Sequence, residues 1–423
     1  MSRHQGLAIM PKPKIVLYAE TLTHIGQLTL HASLQTEKNE HTKILLSSDK
    51  KVITAIHDGE SSSIYLPTQI SGTAHVTFPI DKRTEISTRL QIDDVGQLKP
   101  TTEGLSDVEA PWSAVSLHAR SSICCGQCAA AILVTDKVTT WKDLPSENWA
   151  ELMDFWFCHK PHNKQSPQDH AAQSANLAAK GKVTPTPGVG LVDMVSFLLC
   201  GEDCANIKVA KDPTKAGVDI LRCASCKSCL GSGAEDEKSY RLYKSRLAVI
   251  PEPGQAPQRF PAAVFLTAQL LSLIGSSVSR RVVVHDDGRS ESEGGRQGLL
   301  LWIFNPDIYY SSSKRGPTAH RAMKVFYKSL PRPEEFLDGA GSNCEELVVP
   351  EEDFSGFKQT LQESTDILPP SARTFQDWDV GLLDRWEKNA TGSAKMDQNP
   401  LNKKVEEGFE LFKLPAGMNE LYL

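Results

Sequence analysis

Two short cysteine pairs, Cys125-Gly126-Gln127-Cys128 and Cys223-Ala224-Ser225-Cys226, constrain this chain more than any other feature of it. A CxxC turn brings two thiols about 4 Å apart, which suits a tetrahedral zinc with Zn–S bonds near 2.3 Å. Two such turns complete a four-sulfur site. The pairs are separated by 94 residues, far more than in a compact finger. Loop-closure entropy grows only logarithmically with length, so a span of this size can still be closed. The site would then tie two distant segments together instead of building a small module. The expected ligands are Cys125, Cys128, Cys223 and Cys226, holding a structural zinc. Cys124 and Cys229 offer other workable spacings, and Cys200-Gly201-Glu202-Asp203-Cys204 reads as a second metal site, a substitute ligand pair or a pair of turn-associated thiols. Two competing readings stand beside the zinc. Cysteine is often simply buried as a small hydrophobe. A redox CxxC is the other, weakened because neither pair opens a thioredoxin-like βαβ unit.

A thiolate site needs reduced cysteines, and the chain has ten. Met1–Lys14 has no apolar run long enough for a signal peptide, and no stretch reaches the roughly 18 apolar residues of a membrane helix. A cytosolic or nuclear location with reduced thiols is therefore expected, and no membrane contact. Lys+Arg total 46 against Asp+Glu 52, a net charge of −6, which argues against a generally basic nucleic-acid-binding surface. With 423 residues, 40% of them hydrophobic, the chain can bury a core and make two to three domains.

The first hundred residues read as β structure. Leu28, Leu30, Ala32 and Leu34 alternate with polar residues, as do Ile86, Thr88, Leu90 and Ile92. Lys14–Glu20, Lys43–Ser47, Val52–His57, Ser63–Leu66 and His75–Pro79 are shorter β-rich runs, with turn signals at Asp58-Gly59 and Ser71-Gly72. Ala114–Ala119 is expected as a strand, Leu191–Leu199 as a buried strand or a short helix, and Pro261–Ile274 as a buried helix. Arg281–His285 and Leu299–Phe304 read as strands joined by a hairpin tip at Asp286–Gly298, with Trp302 in the core. Thr318–Leu330 reads as a helix stopped by Pro331. The expected fold class is α+β, mainly β: an N-terminal β-sandwich-like layer joined to a zinc-clamped α+β C-terminal part. The expected division is 1–110 (β-rich), 111–260 (zinc-binding, with a Trp helix and a long loop) and 261–423 (α+β).

The clearest helical pattern is Leu144–His159. Ser146 is an N-cap and Glu147 suits the first turn. Trp149, Leu152, Met153 and Trp156 fall at i, i+3, i+4 and i+7, one apolar stripe. On periodicity this is an ordinary amphipathic helix. Its end is unusual, because Cys158 and His159 are adjacent and Pro161 follows. Thiolate and imidazole together can complete a metal site, act as an activated nucleophile pair, or be offered to a partner's metal. The chain has no P-loop, no GxGxxG after a strand, no HExxH and no GxSxG. Gly294–Gly298 reads as a flexible tip, His285-Asp286-Asp287 as a polar strand end, and Cys344 as a poor nucleophile beside Glu345 and Glu346.

CxxC, then Leu-Pro-Ser-x-Asn-Trp-x-x-Leu-x-x-x-Trp-x-Cys-His at 144–159, then CxxCxxCLG at 223–231, resembles the HECT-like ubiquitin ligases, also called ubiquitin-conjugating-enzyme-binding proteins. That family includes a fungal factor tied to pre-mRNA cleavage and polyadenylation. This chain departs from the pattern in the extra Cys124 and in Cys229 inside the last motif. The resemblance covers most of 114–423 by motif order. It implies ubiquitin-protein ligase activity, binding of a ubiquitin-conjugating enzyme and of ubiquitin, and a cytosolic and nuclear location. It also implies contact with the metallo-β-lactamase-type endonuclease of mRNA 3′-end processing. On that reading Trp149, Trp156, Cys158 and His159 form the partner-binding element, with Cys158 and His159 held out toward the partner's zinc. No catalytic cysteine is legible in the sequence.

Overall fold

Alternation is clearest at the start of the chain, and the strand ladder begins there. The computed structural model describes residues 15–22, 25–71, 82–93, 108–144, 184–212, 219–234, 238–288, 296–316, 318–340 and 343–388. The chain divides into two units after Trp386, and the elements below all belong to the first. β1 (Ile15–Leu22) and β2 (Gln27–Leu34) pair antiparallel over their full length. In β2 every second residue is buried, with Leu28, Leu30, Ala32 and Leu34 on the inner face. β3 (Lys43–Leu46), β4 (Val52–His57) and β5 (Glu60–Tyr65) form a separate three-stranded sheet, and β6 (Glu85–Gln91) pairs with β2. Leu17, Leu28 and Leu30 of one sheet meet Ile44, Ile53 and Ile64 of the other, which makes the N-terminal region a sandwich. Asp58 (φ 47°) and Gly59 (φ 76°) turn β4 into β5, the twist a two-residue hairpin loop requires. His75–Pro79 lies outside the described residues.

Short strands fill the middle of the chain. They are β7 (Ser122–Cys125), β8 (Ala131–Leu133), β9 (Thr140–Asp143), β10 (Val189–Val192), β11 (Ser196–Cys200), β12 (Ile207–Lys211), β13 (Asp219–Cys223), β14 (Cys229–Ala234), β15 (Ser239–Tyr243) and β16 (Leu247–Ile250). Seven of them order as β12-β13-β14-β15-β11-β10-β9, and three as β16-β7-β8. Leu191–Leu199 is therefore two strands. Asp193 breaks the run, because its Oδ1 accepts the N–H groups of Val195 (2.8 Å) and Ser196 (2.5 Å) and turns the chain. The strand expected at Ala114–Ala119 is instead a one-turn 3-10 helix, Ala114–Ser116. Its apolar residues keep helical spacing: Ala114 and Leu117 are buried while Val115 faces out.

The C-terminal part follows as α1 (Ala262–Ser276), β17 (Arg281–Asp286), β18 (Gly298–Ser312), β19 (Ala319–Leu330), α2 (Pro333–Ala340), β20 (Glu345–Val349), α3 (Glu351–Thr365), β21 (Thr374–Phe375) and β22 (Trp378–Asp384). The nine-stranded sheet runs β21-β22-β19-β18-β1-β2-β6, with β17 and β20 adding beside β18. The helix expected at Thr318–Leu330 is strand β19. It lies between β18 and β22 with both faces covered: Met323, Val325 and Tyr327 enter one core, Ala322 and Phe326 the other. Two buried faces place apolar residues at i, i+3 and i+4, which imitates a helix. Trp302 is half-buried at the edge of an aromatic cluster with Phe326 and Trp378. The fold is mainly β, and α1 links its halves. Phe265 enters the core of the short-strand region, while Leu266, Leu270 and Ile274 enter the core beneath the large sheet.

Candidate metal centre

The two CxxC segments fold into the same turn twice. The Cys125 N–H donates to the Ala130 carbonyl (2.8 Å), and the Ala129 N–H to the Cys125 carbonyl (2.9 Å). In the second turn the Cys223 N–H donates to Ser228 (2.9 Å) and the Lys227 N–H to Cys223 (3.0 Å). The residue four after each first cysteine is left-handed: Ala129 at φ 58° and Lys227 at φ 66°. Non-glycine residues there cost on the order of 1 kcal/mol or more, so the surroundings must hold them. Each turn is also pinned from outside at the residue after its first cysteine. The Gly126 N–H donates to the Arg246 carbonyl (2.9 Å), and the Ala224 N–H to the Asn206 carbonyl (2.7 Å). Glycine is required at 126, since a Cβ there would lie 2.8 Å from the Arg246 carbonyl oxygen.

Packing β7 and β13 into one core brings the two turns face to face. The Sγ atoms of Cys125, Cys128, Cys223 and Cys226 all lie within 4.8 Å of one another. Across the turns, Cys125 stands 3.7 Å from Cys226 and Cys128 stands 3.6 Å from Cys223. A tetrahedron with 2.3 Å metal–sulfur bonds has edges of about 3.8 Å. Cys125 and Cys223 are buried, Cys226 is half-buried and Cys128 is exposed. The Ser228 hydroxyl sits 3.1 Å from Cys226 Sγ and 3.4 Å from Cys125 Sγ, touching one sulfur of each turn. The Cys226 thiol is lowered to about 6, first by the Ser228 hydroxyl and then by the Ser228 N–H. At Cys128 the Ala130 N–H lowers the thiol, but its hydrogen bond to Cys226 and the other sulfurs, with desolvation, push it up to about 12. The Ser228 hydroxyl and N–H thus already favour negative sulfur at Cys226, an environment that suits a soft cation. An all-sulfur donor set of this size fits a four-coordinate ion.

The other described cysteines do not join this group. Cys124 is buried, with Sγ 3.5 Å from the Ala248 carbonyl, and burial pushes its thiol up. Cys229 Sγ faces the Gly231 carbonyl at 3.8 Å. Cys200 is buried, and burial, then Asp203 and Cys200, push Cys204 up to about 12. Cys344 is half-buried and raised, first by burial. His285 is buried, its Nε2 2.8 Å from Glu346 Oε1. Trp149, Trp156, Cys158 and His159 lie outside the described residues. Sequence reasoning missed Ser228; its position two residues after the last ligand was the available signal.

The family described as HECT-like ubiquitin-conjugating enzyme (E2)-binding matches residues 20–380 of this chain. An uncharacterized protein of Saccharomyces cerevisiae is 27% identical over 272 residues, covering 64% of this chain and 71% of that protein. An uncharacterized protein of Schizosaccharomyces pombe is 23% identical over 295 residues, covering 67% and 79%. A Bos taurus protein named as an E3 ubiquitin-protein ligase is 22% identical over 351 residues, covering 70% and 86%. No solved structure matches significantly.

Proposed function

This chain belongs to the HECT-like ubiquitin-conjugating enzyme (E2)-binding family, and on that premise we propose that it binds a ubiquitin-conjugating enzyme and promotes protein ubiquitination. The observation that carries the reading is the family match over 20–380, together with a relative named as a ubiquitin-protein ligase. Zinc is the ion proposed for Cys125, Cys128, Cys223 and Cys226, and it would supply rigidity and folding free energy to the segments that carry it. The chain's own part is geometric: the sulfurs fasten β7–β8 to β13–β14 and so fix the surface a partner meets.

Three of the described thiols are poor candidates for carrying ubiquitin as a thioester, which leaves room for a ligase that positions the charged conjugating enzyme. Outside the four-sulfur group, Cys124, Cys204 and Cys344 are all raised, and a thiol held protonated is a poor acceptor. Reconstitution with ubiquitin, activating enzyme and a panel of conjugating enzymes tests the function. Conjugates that depend on this chain support it; their absence with every conjugating enzyme sinks it. A reducible ubiquitin adduct on a defined cysteine, lost on its change to Ser, would establish the covalent route instead.

The second reading rests on the Trp149/Trp156 stripe and the Cys158-His159 end in the sequence. Here the chain is a non-catalytic assembly factor or inhibitor, docking that segment into the metal site of the metallo-β-lactamase-type endonuclease of mRNA 3′-end processing. A cytoplasmic and nuclear location accords with either reading. Cys158→Ala separates them: lost nuclease binding with intact ubiquitination supports the second role.

A further inference from the structure

Lys244 opens the one-turn helix Lys244–Arg246 between β15 and β16, and none of its surface is exposed. Lysine is almost never this deep unless paired. Its Nζ donates to the Pro111 carbonyl at 3.0 Å, and lies 5.3 Å from the centroid of the Phe197 ring and 5.9 Å from that of Phe265. Trp112 packs on both rings, at 6.3 and 5.6 Å. The amine therefore closes an aromatic box where residues 111–112 enter the cysteine-bearing core. The charged groups facing it are Asp193, itself paired with Arg241 at 2.8 Å, and Asp143 at the end of β9. α1 and β14, which pack against the same turn, carry no charged side chain, while α3 meets the turn through Asp353, bonded to Ser245 at 2.9 Å and paired with Arg246 at 3.1 Å. An ammonium here gives up its water for one carbonyl and two ring faces.

We propose that Lys244 is a proton-operated latch, whose neutral amine holds Pro111 and Trp112 against the cysteine-bearing core and whose protonation releases them. The step is a proton taken from solvent in a transiently open form, with no other bond changed. Burial pushes the amine down to about 7, against the weaker upward pull of Asp193 and Asp143. The open form, with its amine in water, keeps the ordinary value of 10.5. Below pH 7 both forms are protonated and the cost of burial is complete; between 7 and 10.5 only the open form binds the proton, so closure strengthens as pH rises. From pH 7 to 9 the open fraction should fall about fiftyfold.

Two measurements on the full chain decide this. With lysines labelled at Cε, the Lys244 resonance should titrate near pH 7; a midpoint near its ordinary value overturns the proposal. Exchange of the Trp112 indole N–H, bonded to Gln258 Oε1 at 3.3 Å, should report the opening after correction for intrinsic exchange. Its open fraction should fall about fiftyfold from pH 7 to 9, and Lys244→Met should remove that dependence. An equal slope in the variant, or none in the original chain, overturns it. Should Lys244→Met fail to fold, the titration alone decides.

Discussion

Leu30 and Cys223 are both wholly buried, yet they close their parts of the molecule by different physics. Leu30 sits between two sheets whose inner faces are almost entirely aliphatic, and each such side chain contributes roughly 2–3 kcal/mol by leaving water. Cys223 ends a five-residue strand and meets a sulfur from a turn 95 positions away. The sandwich is closed by many small increments. The cysteine-bearing region has a core of its own but adds a closure concentrated at one point, so it should be the more fragile when that point is removed.

The largest effect should come from Cys223→Ala. Binding free energies of structural zinc in small domains run to roughly 10–16 kcal/mol, enough to decide folding locally. Elemental analysis should show the metal lost, and amide exchange should rise across β12–β15 while β1–β6 stay protected. Equal loss of protection in β1–β6 would break the comparison, since both regions would then unfold as one.

Next comes the pair joining β1 to β19. Lys324 Nζ lies 2.8 Å from both Glu20 carboxylate oxygens. Burial is the largest single influence on Glu20 and opposes its ionisation, yet the Lys324 charge and the hydrogen bonds from Lys324 and Tyr18 together outweigh it and hold the carboxyl below its ordinary 4.5. The pair's contribution is therefore complete above pH 4.5 and lost as pH falls below it. Lys324→Met should cost about 3–5 kcal/mol at neutral pH and reverse the sign, because an unpaired buried carboxylate gains from acid. A denaturant series at pH 4 and 7 checks both.

Leu30→Ala should cost about 2–5 kcal/mol without changing metal content, with faster exchange confined to β1–β6. Gly231→Ala should follow at about 1–3 kcal/mol, since a Cβ there would stand 1.9 Å from the Arg241 carbonyl oxygen across the β14–β15 pair. Its effect should centre on the cysteine-bearing sheet. Smallest is Ser228→Ala, which removes a hydroxyl touching one sulfur of each turn. It should cost about 1 kcal/mol, seen as weaker metal retention in chelator competition with an unchanged denaturant midpoint for β1–β6.

These regions were also unequally legible. β2 was plain because one face is buried and one is not, so hydropathy alternates with side-chain direction. β4 and β5 were marked by Asp58-Gly59. β19 was misread because burial on both faces erases alternation. α3 was passed over, although Phe354, Phe357 and Leu361 enter the core at helical spacing behind an acidic first turn. The short strands around the cysteines carry too few residues for any period to emerge. Lys244 gave no local signal, since nothing near it in sequence tells that Pro111, Phe197 and Phe265 surround it.

Local chemistry alone determined that two CxxC turns would form and that the segments of β1–β6 would make strands, because turn geometry and alternation act over a handful of residues. Only tertiary packing decided which four of the described thiols share a point, that β1 and β2 complete a sheet with β18, β19 and β22, and that a lysine ends among aromatic rings. Those outcomes depend on segments far apart in the chain fitting the same volume, and a residue's identity carries no information about neighbours it acquires only when the chain closes.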